Sequence, residues 1–196
     1  MGNSRAVSDA TADRLLLERI ARRDATAVAE LYDRHCRVLY GIALRILRSA
    51  SDAEDVLQDV FVRVWTRADS YDERLGAPGA WLTRIARNRA IDKLRSRVTR
   101  GDAHQPTEDQ VTAAERTAVS DQPSPEAVTE QSRTRDDVRG ALAGLPDEQR
   151  RLIEAAFFEG YTHSELAERF GLPLGTVKTR IRSGMLAMRQ RLEHVV

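Results

Sequence analysis

The sequence predicts an all-α protein made of two small helical domains joined by a flexible linker, and three observations support this prediction. Apolar residues recur at the spacing of helices with one buried face in residues 13–97 and again from residue 135 onward. Between these regions no apolar face can be drawn, and prolines lie there among polar and acidic residues. No stretch alternates polar and apolar residues as a half-buried strand would. We therefore expect a disordered N-terminus (1–12), a first domain (13–98), a linker (99–134) and a second domain (135–196).

The composition of the chain excludes several classes of protein. Hydrophobic residues make up 41% and charged residues 31% of the 196 residues, and no apolar run is long enough to span a membrane. Residues 1–12 lack the apolar segment of a secretory signal, so we expect a cytoplasmic protein. The single cysteine, Cys36, cannot form an internal disulfide, and no cysteine and histidine cluster has the spacing of a zinc site. We expect this thiol to be buried and inert, and we expect neither a metal ion nor another cofactor.

The first two predicted helices form an antiparallel pair. A short helix over Asp13–Arg23 places three apolar residues on one side, which are Leu16, Leu17 and Ile20. Asp24 is of the residue type that caps helices, and a longer helix with a helical apolar period follows it to residue 48.

The third predicted helix begins at a capping box of Ser51 and Glu54, in which each side chain bonds the backbone amide of the other residue. The outer side of this helix is polar, and its first turn is acidic. The opposite side carries the apolar residues expected in the core, which are Ala53, Val56, Leu57, Val60, Phe61, Val64 and Trp65.

The fourth predicted helix follows a loop over Ser70–Gly79 and covers about Gly79–Arg97, with Pro78 suited to its first turn. One side carries the expected core residues Leu82, Ile85, Ala86 and Leu94, whereas the other side is cationic. Seven cations lie between residues 84 and 100 against one acid, and the linker that follows is acidic. A basic patch beside an acidic tether is typical of a nucleic-acid-binding protein whose tether does not itself bind.

Asn88, Asp92 and Arg95 project from one side of this fourth helix because they lie four and three residues apart. An asparagine amide can both donate to and accept from an exposed base edge, while neighbouring arginines hold phosphates. The alternative is an ordinary surface helix with an Asp92–Arg95 ion pair, which is worth little in water. The pattern by itself favours this alternative.

The second domain contains three further helical stretches. An apolar stripe ends before Pro146, and a helix from Asp147 ends at Gly160. Thr162 and Glu165 form a second capping box, which opens a helix that stops at Gly171. The final helix starts near Pro173, and its expected buried residues are Val177, Ile181, Met185, Met188 and Leu192.

A capped short helix, a turn and a longer basic helix follow one another from residue 162 onward, in the order of a helix-turn-helix. In that motif the second helix enters the major groove. The first turns of the final helix expose donors for phosphates and base edges, which are Thr176, Lys178, Thr179, Arg180, Arg182 and Ser183. A helical hairpin with a solvated basic face remains an equal alternative on the pattern alone.

Two sequence motifs resemble those of bacterial extracytoplasmic function sigma factors, in the sigma-70 family. The segments Leu145-Pro-Asp-Glu-Gln-Arg150 and Gly171-Leu-Pro-Leu-Gly-Thr-Val-Lys-Thr-Arg180 resemble the σ4 domain of that family. The spacing of Asn88, Asp92 and Arg95 resembles the promoter-reading pattern of its σ2 domain. The resemblance covers about residues 15–97 and 136–192. Pro173 and Leu174 depart from the serine and glutamate often found there, and Gly184 lies inside the last helix.

The resemblance implies a σ2-like helical bundle and a σ4-like helix-turn-helix in a protein that is not an enzyme. Such a protein binds the β′ and β subunits of core RNA polymerase and directs transcription initiation at specific promoters. It would read the melted −10 element around Asn88 and the duplex −35 element with the six donors of the final helix. An anti-sigma factor, often membrane-anchored, commonly holds relatives of this kind inactive, and no small-molecule substrate is implied.

The resemblance also assigns roles to individual residues. Asn88 would contact a flipped base, and Asp92 and Arg95 would orient the helix and its loop. The loop from Tyr71 to Gly76 would line the pocket for that base. The remaining candidates for −10 DNA are Arg84, Arg87, Lys93 and Arg97, and the candidates for contact with polymerase are Asp55, Gln58, Asp59 and Arg63.

Two other classes of function are weaker on the sequence. A dimeric helix-turn-helix repressor or activator would bind a palindrome without polymerase, but no dimer interface is evident in the sequence. An enzyme is disfavoured because the four histidines lie on different elements and no Gly-rich phosphate loop or nucleophile elbow is present. We therefore expect no catalytic residue, and we expect His35 to be a core or helix-surface residue.

Overall fold

The computed structural model describes residues 2–100 and 137–195 of the chain, so the predicted linker lies almost wholly outside the described residues. All regular structure in these two ranges is helical, which confirms the predicted all-α class. The chain divides into two compact units, Met1–Asp121 and Gln122–Val196.

The first unit is a four-helix bundle. Its helices are α1 (Gly2–Ala21), α2 (Ala25–Leu47), α3 (Ala50–Arg67) and α4 (Pro78–Arg100), with short 3₁₀ turns at Ala68–Ser70 and Glu73–Leu75. Helix α2 lies at the centre and packs against the other three helices. The largest of the fully buried side chains in this unit are Ile20, Leu31, Leu39, Leu44, Val56, Val60, Val64 and Leu82.

Helix α1 begins earlier than the sequence pattern indicated. It starts at Gly2, so residues 2–12, which the sequence analysis placed in a disordered N-terminus, have a helical backbone. Helix α1 ends at Ala21, two residues before the predicted end. The predicted cap of the next helix is confirmed, since Asp24 caps α2 by accepting a hydrogen bond from the Thr26 amide at 3.0 Å.

The predicted capping box at the start of α3 is wrong, since the N-cap is Ser49. The Ser49 hydroxyl accepts a hydrogen bond from the Asp52 amide at 3.4 Å, and α3 begins at Ala50. The reason lies in the preceding residue: Arg48 adopts a left-handed backbone with a φ of 51° and closes α2 through its amide. This turn brings Ser49 into the extended conformation that an N-cap requires, so Ser51 already lies in the first helical turn.

The second unit begins with a helical segment at residues 137–143 and continues with three helices. These are α5 (Asp147–Phe158), α6 (His163–Phe170) and α7 (Leu174–Val195). Leu152 and Ala155 of α5 pack with Leu166 of α6 and Val177 of α7 to form a small core.

The turn between α6 and α7 agrees with the sequence prediction. Thr162 and Glu165 form the predicted capping box, with both reciprocal hydrogen bonds present. Gly171 has a φ of 61° and donates its amide to the carbonyls of Ala167 and Glu168. A left-handed residue of this kind stops α6 at Phe170 and directs the chain into α7.

Of the residues predicted to be buried on α7, Val177 is buried, Ile181, Met188 and Leu192 are half-buried, and Met185 is exposed. Met185 is 52% exposed, whereas Gly184 is buried. A Cβ at Gly184 would lie 2.7 Å from Ile153 Cδ1 and 3.3 Å from Gln149 Cβ of α5. The glycine therefore allows α5 and α7 to approach closely, and the helical period then turns Met185 toward solvent.

Candidate nucleic-acid interface

The outward side of α4 brings together the three residues that the sequence singled out. Asn88, Asp92 and Arg95, which we call the α4 polar face, are all exposed. The opposite side of the helix packs into the core through Trp81, Leu82, Ile85, Ala86, Ala90 and Ile91. Leu94, which was predicted to be buried, is only half-buried. A helix fixed on its apolar side in this way presents its polar side rigidly.

The flanking arginines of α4 lie in different environments. Arg84 is exposed, whereas burial lowers the pKa of the half-buried Arg87. The Arg87 guanidinium donates a hydrogen bond to the side-chain oxygen of Asn88 at 3.4 Å.

Two other cations of α4 are joined to α3 by ion pairs. Lys93 Nζ lies 2.7 Å from Asp55 Oδ2 and 3.0 Å from Asp52 Oδ1. Arg97 Nη1 lies 2.8 Å from Asp52 Oδ2. Burial opposes the charge on Lys93, but the two carboxylates prevail and raise its pKa. Burial likewise opposes the charge on Asp52, yet Lys93 lowers the pKa of that carboxyl.

Sequence reasoning did not identify Asp52 as a functional residue. It lies in the first turn of α3, where an acidic residue is expected simply because it favours the helix dipole. Its partners Lys93 and Arg97 are distant in the chain, and only the packing of α3 on α4 brings them together.

The outward side of α3 carries the four residues assigned to polymerase contact. Asp55, Gln58, Asp59 and Arg63, which we call the α3 polar face, are all exposed. Val62 lies among them and is 63% exposed. Because Asp55 belongs to this face and Lys93 to α4, the two candidate interfaces meet at an ion pair.

The aromatic residues of α3 separate into one core and one boundary residue. Phe61 is 7% exposed, as expected, and its ring packs against Tyr32 with a centroid distance of 4.9 Å. Trp65 is half-buried, and the Arg23 guanidinium lies over its ring at 5.4 Å.

The loop before α4 forms one wall of an open cavity of about 540 Å³. The Tyr71 ring packs edge-on against Trp81 at a centroid distance of 5.7 Å, and its hydroxyl donates to the Gly76 carbonyl at 3.0 Å. The opposite wall comes from α1, where Arg14 pairs with Glu73 across the cavity. Sequence reasoning missed Arg14, because nothing in the local pattern of α1 indicates that it faces this loop.

The six candidate residues on α7 do not all extend freely into solvent. Lys178, Thr179, Arg182 and Ser183 are exposed, whereas Thr176 and Arg180 are half-buried. Arg180 forms an ion pair with Glu148 of α5 at 2.7 Å. The hydroxyls of Thr179 and Ser183 donate to backbone carbonyls of their own helix. Lys178 and Arg182 are therefore the two exposed cations of this group.

A buried carboxylate joins three helices of the first unit. Asp13 of α1 is 4% exposed, and its oxygens lie 2.6 Å from Arg34 Nε and 2.7 Å from His35 Nε2 of α2. Gly79 at the start of α4 packs against the His35 ring, where an added Cβ would lie 3.5 Å from Cε1. His35 is thus a structural partner of Asp13, which agrees with its predicted core or helix-surface role.

Neither a metal-binding group nor a membrane span is found among the described residues. No three of their histidine, cysteine, aspartate and glutamate side chains are grouped so that they could hold a metal ion. None of their helices combines the length and apolar character needed to cross a membrane.

Two models of protein families match the chain. One is described as Sigma-70 region 2 and matches residues 31–100, and the other is described as Sigma-70, region 4 and matches residues 141–190. The first match runs from within α2 to the end of α4, and the second covers α5, α6 and most of α7.

Relatives of the chain include two mycobacterial proteins. The chain is 35% identical to the ECF RNA polymerase sigma factor SigK of Mycolicibacterium vanbaalenii, over 90% of this chain and 87% of the relative. It is 33% identical to the protein of the same name from Mycobacterium tuberculosis, over 91% of this chain and 92% of the relative.

Solved structures similar to the chain include two complexes. Rhodobacter sphaeroides SigE in complex with the anti-sigma ChrR is 34% identical, with a TM-score of 0.46 over 92% of this chain and 98% of that chain. CnrH in complex with the cytosolic domain of CnrY is 24% identical, with a TM-score of 0.43 over 93% of this chain and 98% of that chain.

Proposed function

We propose that the two units carry out different steps of promoter recognition, because the chain belongs to the sigma-70 family, as an extracytoplasmic function RNA polymerase sigma factor. Such a factor is not an enzyme, and it acts in transcription initiation. In our proposal the first unit docks core RNA polymerase and reads the melted −10 element, while the second unit reads the duplex −35 element. The observation that carries this proposal is the presence of exposed polar faces on α3 and α4 in one unit, with the Asp55–Lys93 ion pair between the two helices, and a capped helix-turn-helix in the other unit.

The α3 polar face is the proposed docking site for the polymerase. Asp55, Gln58, Asp59 and Arg63 are exposed on a helix whose apolar side is fixed in the core, so binding requires little rearrangement of the backbone. Val62 adds an exposed apolar contact at the centre of this face. Polar residues around an apolar centre are a common composition of protein interfaces.

The α4 polar face and the loop before it are the proposed −10 reader. Asn88 would hydrogen-bond a flipped base, with Asp92 and Arg95 orienting the helix and the loop around Tyr71. The exposed Arg84 and the half-buried Arg87 support this role, because they place positive charge beside Asn88 where phosphates would run. Lys93 and Arg97 are proposed to contact the phosphate backbone of the DNA. Before DNA binds, they are paired with carboxylates of α3.

The first turns of α7 are the proposed −35 reader. Lys178 and Arg182 are exposed cations, and Thr176, Thr179, Arg180 and Ser183 complete the set. The short α6 and the left-handed Gly171 support this role, because they reproduce the order of elements in a helix-turn-helix.

Run-off transcription with purified core RNA polymerase tests the proposal. The full chain should direct initiation from a promoter of its own genome, and core polymerase without the chain should not. Changing Asp59→Ala should lower the affinity for core polymerase, while Asn88→Ala should lower initiation without lowering that affinity. Failure to initiate at any candidate promoter would contradict the proposal.

We further propose regulation and location on the basis of family membership. The chain would act in the cytoplasm and bind an anti-sigma factor, often membrane-anchored, that covers the Asn88 and Lys178 surfaces. A pull-down from native cells should recover polymerase subunits together with such a protein. A footprint of that complex in which neither surface is protected would contradict the proposed mode of inhibition.

The domain limits of 13–98, 99–134 and 135–196 remain part of this proposal. In support, the two family matches are separated by residues 101–140, which overlap the proposed linker. Limited proteolysis of the full chain should therefore cut first between residues 99 and 134.

A further inference from the structure

We infer that the Asp55–Lys93 ion pair couples the two binding surfaces of the first unit, so that a polymerase cation on Asp55 strengthens the binding of DNA phosphate by Lys93. The inference rests on the proposed function, because it takes α3 as the polymerase contact and α4 as the DNA contact. It adds that the two contacts share one carboxylate and are therefore not independent.

The geometry of the pair carries the inference. Lys93 Nζ lies between two carboxylates, 2.7 Å from Asp55 and 3.0 Å from Asp52. The Lys93 side chain is 25% exposed and the Asp55 side chain is 66% exposed. Both partners can therefore be approached from solvent while they remain in contact with each other.

The two carboxylates differ in what else holds them. Asp52 also pairs with Arg97 at 2.8 Å, its backbone amide donates to the Ser49 hydroxyl, and its side chain is only 21% exposed. Asp52 is thus fixed in the structure, and it keeps a cationic partner if Lys93 moves away. Asp55 is the more exposed partner, and it lies on the face that polymerase is proposed to cover.

The sign of the coupling follows from electrostatics. In the free chain the Asp55 carboxylate attracts Lys93 and competes with any phosphate for it. A cation from the polymerase that pairs with Asp55 removes this competition and adds positive charge beside Lys93. Both effects make the binding of a phosphate at Lys93 more favourable.

Thermodynamic linkage makes the effect reciprocal, which gives an unusual expectation. Polymerase and Lys93 compete for Asp55 in this proposal. Removing the Lys93 charge ends that competition, so the affinity for polymerase should rise by the factor that corresponds to the strength of the Asp55–Lys93 pair. A variant that weakens DNA binding should thus bind core polymerase more tightly.

Affinities for core RNA polymerase, measured with fluorescently labelled full chain, test this expectation. Lys93→Gln should raise the affinity by between about 1.5-fold and fivefold, the range expected for an exposed ion pair. Arg89→Gln is the matched control, because it removes the same charge from an exposed position on α4. It should bind as the wild type does. Lys93→Arg, which keeps the charge, should also show no gain.

A double-mutant cycle identifies the carboxylate responsible. In the Asp55→Asn background, Lys93→Gln should have no further effect on polymerase affinity. The inference is overturned if Lys93→Gln gives no gain in the wild-type background, or if its gain persists in the Asp55→Asn background. Tryptophan fluorescence melts verify folding, since Trp65 and Trp81 both lie in the first unit.

Binding of a labelled single-stranded oligonucleotide by the isolated chain provides the reciprocal measurement. Asp55→Asn should raise this affinity relative to Asp59→Asn, which makes the same charge change one turn further along α3. The slope of log affinity against log salt concentration should steepen by about 0.7, because one phosphate contact is added. Equal binding by the two variants would overturn the inference, as would a gain that survives Lys93→Gln.

The inference and the proposed function fail in different ways. If the chain does not bind core polymerase or direct initiation, the proposed function fails. If wild-type binding and initiation are present but the cycle shows no coupling between Asp55 and Lys93, only the inference fails.

Discussion

Gly184 illustrates how a single residue can serve packing at the expense of local helix stability. Replacing it with alanine adds a Cβ that would lie 2.7 Å from Ile153 Cδ1 in the interface of α5 and α7. The gain in helix propensity of up to about 1 kcal/mol is smaller than the cost of overpacking, about 1–3 kcal/mol. We expect Gly184→Ala to destabilise the second unit by about 1 kcal/mol in thermal melts followed by circular dichroism.

Gly175 is the matched control for this prediction. It lies on the same helix, and nothing stands within 4 Å of a Cβ built there. Gly175→Ala should therefore stabilise the unit by up to about 1 kcal/mol. Tryptophan fluorescence reports only the first unit and should not change for either variant, and equal melting of the two variants would contradict the close approach of α5 and α7.

Asp13 is a buried carboxylate whose ionisation makes the stability of the first unit depend on pH. Burial raises its pKa, but His35 and Arg34 outweigh that effect, so the pKa lies below the ordinary value of 3.8. A lowered pKa in the folded state means that the stabilisation is present above about pH 4 and is lost as the pH falls through the folded value. Asp13→Asn should cost about 2 kcal/mol at neutral pH and remove this part of the acid sensitivity.

Asp9 offers a control for the same measurement. It also pairs with Arg34, at 3.2 Å, but its side chain is 60% exposed. Asp9→Asn should change the free energy of unfolding by less than about 0.5 kcal/mol. Urea unfolding between neutral pH and pH 3, followed by tryptophan fluorescence, separates the two variants, and similar losses for both would contradict a special role for the buried carboxylate.

At the scale of elements, the start of α3 shows why a capping motif must be checked against the preceding helix. Ser49 accepts the Asp52 amide, whereas Ser51 lies within the first turn. Ser49→Ala should cost about 1 kcal/mol because an orphan amide loses its acceptor. Ser51→Ala should change stability by less than about 0.5 kcal/mol. A larger loss of stability from Ser51→Ala than from Ser49→Ala, in melts followed by fluorescence, would support the capping box that the sequence predicted.

The α4 helix shows how much of a candidate site a helical period can reveal. The spacing of Asn88, Asp92 and Arg95 correctly indicated that they share one exposed side. The period could not indicate that Lys93 and Arg97 are joined to α3, because such pairs depend on how two helices cross. The same limit explains why Asp52 was missed.

At the scale of the whole molecule, the two proposed DNA readers should fail in separable ways. Lys178→Gln should weaken binding to duplex −35 DNA. It should also reduce the slope of log affinity against log salt concentration by about 0.9, because one phosphate contact is lost. Arg151→Gln removes the same charge from an exposed position on α5 and should leave that slope unchanged. Fluorescence anisotropy across a salt series gives both values, and equal slopes for the two variants would contradict the role of Lys178.

Asn88→Ala should leave binding to duplex −35 DNA intact and impair strand separation at the −10 element. We expect reduced permanganate reactivity of promoter thymines with polymerase bound, because the flipped base loses a hydrogen-bonding partner. A premelted promoter should restore only part of the activity, since base recognition is still lost. Full rescue by premelting would indicate that Asn88 separates strands without recognising a base.

Local sequence patterns were sufficient to predict the all-α class, the division into two units, the caps at Asp24 and Thr162, the turn at Gly171 and the polar side of α4. These features depend on residues close together in the chain, through helix period, capping and backbone propensity. Family motifs in the same segments also determined the class of protein.

The pairing of charges and the contacts between sides of different helices could be seen only in the packed structure. It placed Lys93 between Asp52 and Asp55, set Asp13 against His35, and buried Gly184 in place of Met185. Each of these contacts joins residues on different helices, so its formation depends on how those helices cross and pack. Local patterns contain no information on that crossing, so the link between the α3 and α4 surfaces emerges only once the helices are packed.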